Sequence, residues 1–177
     1  MKNDSYDRTT IRYHWLVAGL IATLWILGQC IDFFPKGDLR VYARSVHITL
    51  GAVTAVTFLL RLRWRHTQGL RLPAADPGMA GKLAIGVHHL LYLLIALVIL
   101  AGLSSAWVRG DNLYNLFHIP AFDPTHPEWR ETIVDIHGFL ANSLLALAGL
   151  HALAALRHHF LKKDQVLQRM WPTLGRR

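Results

Sequence analysis

Four stretches of this 177-residue chain carry no charged side chain, and each is long: Tyr13–Ile31 (19 residues), Ser45–Leu60 (16), Leu83–Val108 (26) and Ile136–Leu156 (21). A hydrocarbon core about 30 Å thick is crossed by about 20 helical residues at 1.5 Å rise each. The shortest stretch reaches that length if Arg44, Arg61 and Arg63 lay their stems along the helix with their charges at the interfaces, Trp64 anchoring that end. A soluble bundle would need a polar stripe at helical period. Between Ala84 and Ala106 the sequence offers little beyond His88, His89, Tyr92 and two serines. The expected fold is therefore all-α: a transmembrane four-helix bundle, residues 1–177 forming one integral membrane domain, with spans at about 12–31, 44–64, 83–107 and 134–157. Leu27-Gly28-Gln29-Cys30 has Gln29 where a lipoprotein cleavage site wants a small residue, so the first span is expected to stay.

The net charge of +8 is distributed unevenly, with 14 of the 19 basic residues before span one, between spans two and three, or after span four. The other two loops hold Lys36, Arg40, Arg44, Arg109 and Arg130. The positive-inside rule then puts both termini and the middle loop in the cytoplasm, and accounts for the charge without nucleic acid. Cys30 is the single cysteine, which excludes an intramolecular disulfide, a multi-thiolate metal site and covalent attachment of a c-type haem. Leu72-Pro73-Ala74-Ala75-Asp76-Pro77-Gly78 breaks the chain between spans two and three. The outer loop Arg109–Arg130, with Phe117, Phe122, Trp129, Pro120, Pro124 and Pro127, is expected to lie on the membrane surface as a cap.

Ionisable side chains inside a span are expensive and mark function, which directs attention to the 11 histidines. His14 opens span one on the inner side and His47 opens span two on the outer side. Span four carries His137 at its outer start and His151 toward its inner end. Fourteen residues separate those two, leaving them about 40° apart around the helix and about 21 Å apart along it. One metal ion cannot take both, so two centres at two depths are expected, His47 with His137 outside and His14 with His151 inside. Imidazole on both faces of an iron porphyrin uses no cysteine and no carboxylate. Two haems b are thus the expected cofactors, with His14, His47, His137 and His151 as ligands of the haem irons. Interior hydrogen bonding or a proton relay is the competing reading.

Ala141, Leu144 and Ala148 lie between the two histidines of span four and leave room for a flat ligand. On the facing helices the corresponding rows are His14, Ala18, Ile21, Trp25, Gly28 and His47, Gly51, Thr54, Phe58, Arg61. Gly28 and Gly51 read equally as haem clearance and as close helix packing. Arg12 and Arg61 are candidate partners of haem propionates, with interfacial snorkelling as the plainer role. His158, seven residues past His151, joins His88 and His89 as a candidate quinone site in which imidazoles bond the carbonyls and deliver protons. The alternative is a basic patch with His159, Lys162 and Lys163. His66, His118 and His126 fall in loops and carry no spacing signal.

The chain resembles the bacterial cytochrome b561 family, small four-helix dihaem membrane proteins related to hydrogenase b-type subunits. The residues that carry the resemblance are Arg12-Tyr13-His14-Trp15, Val46-His47 after Phe33-Phe34-Pro35-Lys36, Ile136-His137-Gly138, Gly149-Leu150-His151-Ala152, and Arg157-His158-His159-Phe160 with the Lys163-Asp164 tail. The loop from Arg109-Gly110 to Ile119-Pro120 is similar too, so nearly the whole chain is covered. The resemblance implies an electron-transfer oxidoreductase of the bacterial inner membrane, passing electrons between an outer donor and ubiquinone, with the same four histidines as ligands. Some members are superoxide oxidases, which implies a small anionic donor such as superoxide and a superoxide:ubiquinone oxidoreductase activity as candidates. Lys36, Arg40 and Arg44 beside His47 would attract an anion. Asp111, Asp123, Glu128, Glu131 and Asp135 outweigh Arg109 and Arg130 in the second outer loop and oppose it. Two axial histidines leave iron no open position, which favours outer-sphere electron passage. Two further functions suit the sequence: a haem-bearing anchor subunit of a dehydrogenase or hydrogenase, and a non-haem, histidine-lined transporter.

The charge distribution makes a topological prediction. Alkaline phosphatase fused after Asn115 is expected to be active in bacterial cells and the same enzyme fused after Gln68 inactive; the reverse pattern overturns the orientation.

Overall fold

The computed structural model describes residues 5–73, 75–122, 125–126 and 128–172. Lys2, Ala74, Asp123, Pro124, Pro127, Arg176 and Arg177, which the sequence argument used, lie outside that set. Helices α1 (Arg8–Cys30), α2 (Asp38–Thr67), α3 (Gly78–Arg109) and α4 (Glu128–Arg157) are each long and apolar enough to cross a membrane. They overrun the uncharged stretches by taking in flanking arginines and acids, and α2 also takes in His66, which the sequence had suggested for a loop. A 3-10 turn (Ile31–Phe33) joins α1 to α2, and a π turn (His158–Lys162) ends α4. Leu16, Ile26, Leu59, Leu100 and Leu150 are exposed, as expected of helices that are apolar all round and solvated by lipid.

The four helices form two hairpins: α1 packs along α2, and α3 along α4, much more closely than either hairpin approaches the other. Between the hairpins a thin core takes one side chain from each helix, Val17, Phe58, Ile95 and Leu144. Several polar groups in this region are satisfied within the protein. Thr54 and Thr57 are buried and donate to the carbonyls of Leu50 and Val53, each at 2.8 Å. Trp25 Nε1 donates to Asn142 Oδ1 at 2.8 Å, bridging α1 to α4.

The bundle's near end, which holds the first and last described residues, is closed by side-chain ties. Asp7 caps α1 by accepting from Thr10 N (2.9 Å) and Thr10 Oγ1 (2.6 Å). It also accepts from Trp64 Nε1 and Leu70 N, each at 3.1 Å, fastening the start of α1 to the end of α2. The C-terminal segment returns beneath α1, where Trp15 Nε1 donates to the Met170 carbonyl at 3.0 Å and Arg169 Nη1 to the Pro73 carbonyl at 2.7 Å. At the far end α3 stops on Gly110, in the left-handed region at φ 63°, where an added Cβ would stand 2.9 Å from that of Ala121. The chain then forms a small hairpin of β1 (Asn112–Leu113) and β2 (Phe117–His118), which folds back on α2. Buried Ser45 Oγ accepts from Tyr114 N at 2.9 Å, and Asn115 Nδ2 donates to Asp38 Oδ1 at 3.1 Å. The expected surface cap is thus, in its first half, a buttress on the start of α2.

Asp7 supplies the stability prediction. Partial burial works to raise its pKa, but the bonds from Thr10, Leu70 and Trp64 outweigh it and lower the value from 3.8 to about 2. A carboxylate with a depressed pKa stabilises the fold fully above its unfolded value and loses that contribution as pH falls through the folded one. Asp7→Asn keeps a capping oxygen but puts an amide donor where the second carboxylate oxygen accepts, and is expected to cost about 1–3 kcal/mol at neutral pH. In thermal melts of the detergent-solubilised protein, its gap from wild type should stay constant down to pH 4 and shrink below that.

Candidate functional site

Each of the four histidines singled out by spacing lies on the interface between the hairpins or at its margin, and the structure brings them together in two pairs. His14 on α1 and His151 on α4 have ring centres 6.4 Å apart, and His47 on α2 and His137 on α4 have theirs 6.3 Å apart. Each pair thus takes one ring from each hairpin. A metal–imidazole bond of roughly 2.0–2.1 Å puts two rings on opposite sides of one ion with nitrogens about 4 Å apart and centres about 6 Å apart. Both pairs match that spacing. Leu144, seven residues from either histidine of α4 and 3% exposed, fills the interval between the two depths.

The ring nitrogens are prepared differently. His137 Nδ1 donates to the Val98 carbonyl of α3 at 3.1 Å, which fixes the tautomer that leaves the Nε2 lone pair free for a ligand. His47 Nδ1 is buried with no hydrogen-bond partner. Glycines give both rings space: a Cβ on Gly28 would stand 3.4 Å from His47 Cε1, and one on Gly102 would stand 3.0 Å from His137 Cε1 and 3.3 Å from its Nδ1. Gly28 was expected at this depth. Gly102 was not, and its only sequence signal was a small residue inside a membrane helix. A Cβ on Gly51 would meet nothing within 4 Å.

At the near pair, Arg61 Nη2 donates to His14 Nδ1 at 3.2 Å, and its guanidinium lies 5.3 Å from the centre of the Tyr92 ring. A neutral imidazole that accepts at Nδ1 carries its proton on Nε2, so this bond and ligation by His14 exclude one another. Arg12 is exposed. His88 touches His151 edge-on with ring centres 5.1 Å apart, too close to admit an ion between them. Its Nδ1 donates to the Ala84 carbonyl at 2.7 Å, and that of exposed His89 to the Ile85 carbonyl at 2.9 Å, leaving each Nε2 an acceptor.

His158 lies in a different setting. Its Nδ1 is 2.6 Å from Asp164 Oδ2 and its Nε2 is 3.4 Å from Asp76 Oδ2, while Lys162 Nζ donates to both oxygens of Asp76 at 3.0 Å. Burial works to raise the Asp164 pKa, but the His158 and Val166 bonds outweigh it and hold the carboxyl below its ordinary value. No hydrogen bond or ring contact among the described residues joins His158 to His88 or His89. At the far end a shallow open cleft of about 340 Å³ is lined by Arg109, Arg130, Glu131, Val134 and Asp135. Its two guanidiniums and two carboxylates give it no net pull on an anion.

A family model described as prokaryotic cytochrome b561 matches residues 5–173. The chain is 29% identical over 171 residues to a protein of Yersinia pestis named probable superoxide oxidase CybB, covering 94% of this chain and 96% of that one. It is 28% identical over 170 residues to cytochrome b561 homolog 1 of Escherichia coli (strain K12), covering 94% and 97%. It is 29% identical over 175 residues to cytochrome b562 of Cereibacter sphaeroides, covering 93% and 94%.

The glycine contacts predict opposite outcomes for one substitution at two sites. Gly28→Ala is expected to be neutral or slightly stabilising, since alanine gains about 0.5–1 kcal/mol over glycine inside a helix. Gly102→Ala should cost about 1–3 kcal/mol through overpacking against a ring tied to Val98, read as a lower melting temperature in detergent.

Proposed function

Because the chain belongs to the prokaryotic cytochrome b561 family, a family of membrane electron-transfer proteins with b-type haem, we propose that it carries two haems b at two depths and transfers electrons from a small anionic donor to ubiquinone. The matched ring spacing of 6.4 and 6.3 Å carries this reading. Two imidazoles per site are too few for a protein-only metal cage, which ordinarily needs about four ligands, but they suit a porphyrin that occupies the remaining positions itself. In this role His14 and His151 hold one iron, and His47 and His137 the other. Bound there, the haems supply one-electron chemistry at iron with no free coordination position.

The chain's own residues do the rest. Val98 holds His137 in the ligating tautomer, and Leu144 keeps water from the interval between the pairs. Arg61 must leave His14 Nδ1 when that ring ligates, and a propionate is the acceptor that suits a guanidinium; Arg12 is the second candidate at that end. The positive-inside rule places the near end in the cytoplasm of a bacterial inner membrane. His88, in contact with His151, presents an Nε2 lone pair suited to receive a proton and pass it to a quinone oxygen, with His89 beside it and His158 with its carboxylates further toward the cytoplasm. Superoxide as donor draws support from the name of the Yersinia pestis relative.

Two measurements test the reading. Pyridine haemochrome assay of the purified protein should give two haems b per chain, and His151→Ala and His137→Ala should each remove one; a colourless protein overturns the reading. His88→Gln should keep both haems and slow quinone reduction by superoxide about tenfold or more, within the usual worth of acid–base catalysis. A pure chain that reduces quinone only with a second subunit present would make it an anchor instead.

A further inference from the structure

At the far end two guanidiniums share one carboxylate oxygen. Arg44 Nη1 and Arg109 Nη2 both donate to Asp111 Oδ1 at 3.2 Å. Asp111 is 5% exposed and fixed by its backbone, whose N–H donates to the Ala106 carbonyl and whose carbonyl accepts from Ile119 N–H. A guanidinium has five N–H donors, and among the described residues each of these two spends one. Arg44 Nε is buried without a partner, an arrangement that costs about 1–3 kcal/mol while it lasts. The neighbouring Arg40 is already taken up by Asp32, at 3.5 Å, and by the carbonyls of Asp32 and Phe34. Three guanidiniums therefore face two carboxylates, and the unspent donors belong to Arg44 and Arg109.

Their position says what they await. Arg44 precedes His47 by three residues, one turn of α2. Arg109 follows Gly102, the residue against the His137 ring, by seven residues, about 10 Å along α3. The two arginines thus stand just beyond the far histidine pair, one on each hairpin. We propose that Arg44 and Arg109, aimed by Asp111, form a carboxylate seat that holds the propionates of the porphyrin bound between His47 and His137. This rests on the di-haem reading. Guanidinium and carboxylate match in a two-point, charge-assisted geometry that a lysine cannot reproduce. Asp111 keeps the two cations from repelling each other apart before the ligand arrives, and leaves one positive charge in excess to meet it. Positive charge beside a haem favours the reduced form, so the seat also raises that centre's potential.

The test uses the full chain in detergent, with Arg44→Gln, Arg109→Gln, the double variant and the corresponding lysine variants. Apoprotein is titrated with iron protoporphyrin and with its dimethyl ester, and each loaded protein is titrated potentiometrically. At the centre held by His47 and His137, wild type should retain the free-acid porphyrin roughly tenfold or more better than the ester. The double glutamine variant should lose that preference and show a lower potential at that centre alone, and the lysine variants should recover the potential but not the full preference. The centre held by His14 and His151 serves as the control for folding. A double variant that keeps the wild-type preference for the free acid and the wild-type potentials would falsify the seat. So would a wild-type potential that follows phosphate or chloride concentration, because a free anion would then be the occupant. Failure of the di-haem reading shows separately, as wild type binding fewer than two porphyrins.

Discussion

Inside hydrocarbon a side chain with a hydrogen-bonding group finds its partner in the protein or goes without. Most polar groups of this bundle resolve the problem locally: Thr54 and Thr57 turn back to their own helix, and Trp25 reaches Asn142 across the interface. The paired histidines do not resolve it with each other. Rings 6.3–6.4 Å apart are too distant to bond and too close to be unrelated, and the separation is that of two ligands about a common ion. The two hairpins approach each other loosely, against close packing within each, and the paired rings lie where they meet.

The two ends of the bundle are secured by different means. At the near end the ties come from separated segments and several join side chain to backbone, so Asp7, Trp15 and Arg169 hold the two chain ends and the middle loop together. At the far end a single short hairpin is pressed on α2 through Ser45, and Asp111, the residue before it, links α2 to α3. Both ends carry an arginine whose donors exceed the acceptors around it, Arg61 at one and Arg44 at the other. That repetition suits a molecule that holds similar ligands at similar distances from its two surfaces.

Sequence arithmetic reaches the four helices and the pairing of His14 with His151 and His47 with His137, because both follow from one-dimensional quantities: apolar length and the near-closure of fourteen residues on a 3.6-residue period. Contacts that depend on how far one helix is turned toward another are not readable this way. His88 against His151, Gly102 behind His137 and the Val98 carbonyl all lie on or against α3, whose all-apolar sequence carries no face to set its rotation. Arg61 was legible as a cation at the right depth, but its bond to His14 was not. The carboxylates flanking His158 come from a loop and a tail with no periodicity, and Asp111 was counted only as one acid in a loop, without sign of the two arginines it joins.

One consequence follows from α4 supplying a ring to both pairs. The helix is a common shaft: sliding it by a fraction of an ångström, or twisting it by a few degrees, displaces His137 and His151 together and in the same sense. Perturbations along its lipid-facing side, far from either ring, should therefore move a paired ring at both depths at once, whereas α1 and α2 each carry a ring at one depth and reach the other only through Gly28 and Arg61. Evolution can retune the two sites independently through the partners of α4, but not through α4 itself.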